Sequence, residues 1–142
     1  MQISRRLAQT ALSCAACIFL DSAALAFDLT GAWATDAEAC DKVFSRKGKA
    51  ISFRPDSDMF GSGLIIDGKR IRGRMASCTI KTSREDGAIT HMLAGCATDI
   101  MLQTVQFSVK VIDDNRIVRI FPGIDGMELI YHRCPTGPAP SR

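Results

Sequence analysis

Leu64-Ile65-Ile66-Asp67-Gly68-Lys69-Arg70-Ile71-Arg72-Gly73-Arg74-Met75 is an apolar run, an Asp-Gly pair, and a run that alternates basic with apolar or small residues. Asp-Gly between two such runs is the strongest short-range signal for a β-hairpin. The alternation predicts Ile71, Gly73 and Met75 on the buried face of the second strand. Arg70, Arg72 and Arg74 then share its outer face. The pattern continues on both sides. Downstream, Cys78-Thr79-Ile80-Lys81-Thr82 is strand-like and Glu85-Asp86-Gly87 turns the chain into Ile89–Ala97. Val105 to Val111 alternates with Val105, Phe107, Val109 and Val111 inward. Asp113-Asp114-Asn115 turns again, and Ile117–Phe121 and Met127–Tyr131 complete the set. Upstream, Leu29–Ala34 and Ile51–Phe53 read as strands. Asp36 is placed to cap one short helix near residues 37–46, which Lys47-Gly48 ends.

Eight or nine short strands with hairpin-length connections predict antiparallel neighbours. The expected fold is all-β, a single small antiparallel up-and-down barrel. Closure favours the barrel over a sandwich, because it removes unpaired sheet edges.

The amino end has a different character. Arg5 and Arg6 precede a mostly apolar run from Leu7 to Leu20, and Ala24-Leu25-Ala26 supplies small residues before a cut. This is the order of a secretory signal peptide. The apolar run is shorter than the roughly 20 residues a membrane span needs, so no stable membrane insertion is expected. Cleavage after Ala26 takes 26 of the 142 residues and leaves 116. The expected organisation is a signal peptide at 1–26, a barrel domain at 27–134 and a Pro/Gly-rich tail at 135–142. Export places the product in the periplasm or outside the cell.

With 46% hydrophobic and 23% charged residues, the composition is that of a globular domain and excludes a disordered chain. A formal charge of +3 argues against a dedicated nucleic-acid binder. Four cysteines remain after cleavage: Cys40, Cys78, Cys96 and Cys134. An even number in an exported chain reads as two disulfides. Cys78 and Cys96 are symmetric about Gly87, so a hairpin turning there sets them face to face. The other pair is then Cys40–Cys134, joining the first segment to the last strand.

Leu29-Thr30-Gly31-Ala32-Trp33, followed by Cys40 and a meander of strands, resembles the opening of the calycin superfamily, the lipocalins and their short relatives. The resemblance implies that Trp33 packs across the closed end of the barrel, with Gly31 allowing close approach. Size, early cysteine and export also resemble the small bacterial metalloprotease inhibitors, which are eight-stranded barrels. Those inhibitors enter the protease cleft with a free amino-terminal arm. Here only Phe27 and Asp28 would precede Leu29.

Candidate chemistry is sparse. His91 and His132 have no second ligand residue at metal spacing. Asp56-Ser57-Asp58-Met59-Phe60-Gly61 begins like a calcium loop, but Phe60 stands at a position that needs an oxygen donor. Ser62 lacks a nucleophile-elbow frame. No catalytic residue, metal site or cofactor is therefore expected, and the chain does not read as an enzyme. Arg70, Arg72, Arg74 and Lys81 form a possible cationic ridge for an anionic ligand or an acidic partner surface. The reading is an exported, monomeric, non-catalytic binding module for a small or amphiphilic molecule. The alternative is an envelope or secreted protein that binds another protein, such as a hydrolase inhibitor.

Overall fold

A computed structural model describes residues 26–135. The expected signal peptide and carboxy-terminal tail lie outside the described residues, except for Ala26 and Pro135 at their boundaries. The elements run β1 (Gly31–Ala34), a 3-10 turn (Ala37–Ala39), α1 (Cys40–Val43), β2 (Phe44–Lys47) and β3 (Ala50–Phe53). A second 3-10 turn (Ser57–Phe60) leads to β4 (Gly63–Asp67), β5 (Arg70–Arg72) and β6 (Ser77–Asp86). The last strands are β7 (Ile89–Ala97), β8 (Leu102–Asp113), β9 (Arg116–Ile120) and β10 (Glu128–Arg133). Eight strands close an antiparallel barrel in the order β1-β10-β9-β8-β7-β6-β5-β4, and β2–β3 forms a separate hairpin.

The expected barrel is present. Its second strand is shorter than the alternation implied. β5 stops at Arg72, and the Gly73 amide donates to the Ala76 carbonyl across a tight loop. Met75, expected inside, is 70% exposed. The helical segment also ends early, at Val43, and Phe44–Lys47 is strand. Phe44 pairs with Phe53 of β3, their ring centroids 5.2 Å apart. That contact is made across a hairpin, and helix signals confined to one segment carry no trace of it.

The barrel interior is filled by Trp33, Leu64, Ile66, Ile71, Met92, Phe107, Val109, Ile117 and Tyr131, together with the half-cystines Cys78 and Cys96. A second apolar layer lies outside. Ala32, Ala34 and Ile65 on the outer face of β1 and β4 meet Val43, Phe44, Phe53 and Cys134. Gly63 sits under this layer. A Cβ there would stand 2.7 Å from Phe44 and 2.9 Å from Val43.

Antiparallel order sends alternate connections to opposite ends. The β4–β5, β6–β7 and β8–β9 turns share one end with the segment before β1. The β5–β6, β7–β8 and β9–β10 loops share the other. The first end is closed by one stack. Arg133, on the inner face of β10, places its guanidinium 4.1 Å from the Trp33 ring and 5.5 Å from Phe27. It donates to the carbonyls of Asp114 (2.8 Å), Thr30 (2.6 Å) and Asp28 (2.8 Å). The Trp33 indole N–H donates to the Leu29 carbonyl at 2.8 Å. Gly31, with φ at +140°, brings its backbone so near that a Cβ would lie 3.3 Å from the Arg133 guanidinium. The Thr30 amide holds the Asp28 carboxyl below the usual carboxylate range, with Arg133 adding a smaller pull the same way.

Both expected disulfides are present, Cys40–Cys134 and Cys78–Cys96. The first ties α1 to the end of β10. The second joins paired positions on β6 and β7, inside the barrel.

Candidate functional site

The loop end carries much of the exposed apolar surface. Met75 in the β5–β6 loop, Ile100 and Met101 in the β7–β8 loop, Leu102 opening β8, and Ile124 and Met127 in the β9–β10 loop are all exposed. Loops gain such surface when contacts with a ligand or partner hold it.

Between the first two of these loops runs an open groove of about 700 Å3, bounded on its outer side by Phe53 of β3. Apolar contact comes from Phe53, Met75, Ala76 and Ala97, and charge from Arg72, Arg74 and Asp99. Arg72 is half-buried, and its terminal nitrogen donates to the Ile51 carbonyl at 3.0 Å, so the β2–β3 hairpin holds it in place. Arg74 stands in the loop, 3.9 Å from the Asp58 carboxylate, with 41% of its side chain exposed. At that distance and exposure the pair leaves Arg74 free to meet another anion.

The four cations of the expected ridge therefore part company. Arg72 and Arg74 meet in the loop-end groove. Arg70 is exposed on β5, at the register position of Thr79. Lys81 sits in the β-bulge of β6, where the register shifts between Ile80 and Thr82. Its stem lies over Gly95, and the residue also borders a groove of about 480 Å3 at the closed end, beside Phe27, Ile80 and Met92. Straight-strand alternation misses this, because one strand ends at Arg72 and the next is bulged at Lys81.

Two other groups come together that the sequence kept apart. The His91 Nδ1 lies 2.8 Å from the Ser108 hydroxyl across β7 and β8, and the Gln106 amide donates to the same hydroxyl at 3.3 Å. The pairing looks like a base beside a nucleophile. Ser108 is 1% exposed, so no external substrate reaches its oxygen, and the three side chains act as a cross-strand clasp. Ser62 faces the Tyr131 hydroxyl at 3.4 Å. Asp56 to Gly61 folds as a 3-10 turn with Ser57 buried. His132 lies on β10, beside Asp113 and Arg116 in a shallow groove. The Arg116 guanidinium is the main cause that holds the Asp113 carboxyl below its ordinary range. Among the described residues no three His, Cys, Asp or Glu side chains form a metal-binding group, and no helix is long and apolar enough to cross a membrane.

With this geometry in hand, comparison with protein-family models, curated proteins and solved structures finds no match.

Proposed function

We propose that the protein is a non-catalytic binding module that holds a small amphiphilic anion in its loop-end groove. The observation that carries this reading is the lining. Two arginines and an apolar floor share about 700 Å3, within the roughly 300–1,000 Å3 of small-molecule sites. The barrel interior, by contrast, is occupied by the protein's own side chains. The ligand of this groove is then held outside the rim rather than in a central cup. The Gly31-Ala32-Trp33 opening on an eight-stranded barrel supports kinship with the calycins. Two disulfides support an oxidising compartment, periplasmic or extracellular.

Octyl phosphate, titrated calorimetrically against the oxidised protein, is the probe. Arg74→Gln should weaken its binding roughly tenfold, the effect of losing one charge-assisted hydrogen bond. Equal affinity in the variant and the parent would remove the groove from consideration.

A second reading, a protein partner, is favoured by Ile100 and Leu102, which are 89% and 85% exposed. That partner would be engaged by the loops. The segment from Asp28 to Thr30 is fixed to the barrel by Arg133, so it does not act as the free arm of the metalloprotease inhibitors. Replacing Ile100 and Leu102 with Asp should then abolish crosslinking to an envelope protein while octyl phosphate binding persists.

A further inference from the structure

Arg119 stands two residues beyond Ile117 on β9 and shares its inward face. Its cross-strand neighbours are Val109 on β8 and Leu129 on β10, both aliphatic and both part of the barrel core. The guanidinium carbon lies 4.5 Å from the ring centroid of Phe107 and 4.5 Å from that of Phe121. Both rings stand against it. Its Nε is buried and has no hydrogen-bond partner. Among the described residues no carboxylate pairs with it, the ion pairs being Arg74–Asp58 and Arg116–Asp113.

The opposite end of the same barrel supplies a control. Arg133 is also stacked on aromatic rings, but its Nε and both terminal nitrogens reach backbone carbonyls. A guanidinium inserted only as an aromatic plug needs such acceptors, because a buried N–H without one is costly and a charged one more so. Arg119 lacks the acceptor for Nε. Its N–H groups lie in the plane of the guanidinium, so an acceptor must meet them there. That is the direction in which a carboxylate accepts two parallel N–H···O bonds. Phe121, which follows β9 directly and opens the loop to β10, is the solvent-side part of the enclosure. Its ring is half-buried, and its rotation would uncover Nε from the loop end.

We propose that the mouth of the barrel is a carboxylate site. Arg119 receives the head of a monocarboxylate in the plane of its guanidinium, through Nε and a terminal nitrogen. The apolar body of that molecule lies on Phe121 and Leu129, which are both only half-buried. This site is separate from the groove of Arg72 and Arg74, which lies on the outside at β5 to β7, and it stands whether or not that groove is functional.

The test is the 15N-edited spectrum of the arginine Nε–H groups of the full oxidised protein, titrated with octanoate and, separately, octanol. The Arg119 resonance should move to lower field and saturate with octanoate, and stay in place with octanol. Arg119→Gln should weaken octanoate binding roughly ten- to hundredfold. Arg119→Lys should fall between, keeping the charge without the fork. Arg84→Gln, on β6 near the β6–β7 turn at the opposite end, should leave octanoate affinity unchanged. A resonance that stays in place at saturating octanoate overturns the proposal, as does an Arg119→Gln protein of parental affinity. So does the absence of octanoate binding. The titration of the parent protein decides the matter even if the Gln variant fails to fold.

Discussion

Two arginines on the inner face of one barrel show how much a residue's partners decide. Arg133 satisfies three donors on carbonyls from two separate segments, Asp28 and Thr30 before β1 and Asp114 in the β8–β9 turn. It thereby ties the chain entry, the β8–β9 turn and β10 into one cap over Trp33. Each charge-assisted bond contributes about 1.5–3 kcal/mol where burial is complete and less where water competes, and the stack on Trp33 adds roughly 0.5–2 kcal/mol. Arg133→Met should therefore lower unfolding stability by about 2–4 kcal/mol, measured by urea denaturation. A loss below about 0.5 kcal/mol, the range of an ordinary surface change, would show that the cap is ornamental to the fold.

At the scale of elements, the β2–β3 hairpin is the addition that turns a bare barrel into this protein. It covers the outer face of β1 and β4, completes a second apolar layer, and supplies Phe53 and the Ile51 carbonyl to the groove wall. Close docking depends on Gly63. Its replacement by Ala would set a methyl 2.7 Å from the Phe44 ring, closer than carbon atoms pack. Overpacking of this kind costs about 1–3 kcal/mol. Gly63→Ala should destabilise the protein by that amount and lower octyl phosphate affinity, because the Phe53 wall moves with the hairpin. Proton spectra showing an unshifted Phe44–Phe53 pair and unchanged stability would contradict this account of the docking.

Over the whole molecule, the disulfides act on different ranges. Cys40–Cys134 closes a separation of 94 residues and Cys78–Cys96 one of 18. On the chain-entropy model the long bridge contributes about 4–5 kcal/mol and the short one about 3 kcal/mol. The double replacement of Cys40 and Cys134 by Ser should therefore cost more than that of Cys78 and Cys96, provided the buried core tolerates each change. Denaturant midpoints of the two variants, compared at equal slope, check the order. A reversed order would mean that lost packing inside the barrel, where Cys78 and Cys96 lie, outweighs chain entropy.

Fold class, strand order and cysteine pairing were legible in the amino-acid order, because they rest on local rules. Alternation with a period of two marks a strand with one buried face. Asp-Gly marks a turn, and short connections impose antiparallel neighbours. The pairing of Cys78 with Cys96 was legible for a subtler reason. Asp86 faces Ile89 across Gly87-Ala88, and that register carried back unbroken would set Cys78 opposite Ala97. The bulge at Lys81 takes up one residue and restores Cys96 as the partner. The symmetry about Gly87 was thus sound in result, while the bulge behind it is a tertiary feature. The functional surfaces were less legible. Arg72 and Arg74 could be named, but their meeting with Phe53 and their parting from Lys81 depend on where β5 stops and where the hairpin docks. Period-two spacing puts Arg119 on the same strand face as Ile117, but the local order says nothing of what surrounds its guanidinium there. The pairing of β8 with β9 and the path of the chain after β9 bring Phe107 and Phe121 against that guanidinium and leave its Nε without an acceptor. Local propensity selects the elements of this protein. The environment of each charge comes from strand pairing, loop placement and hairpin docking, and for Arg133 from the seam where β1 meets β10.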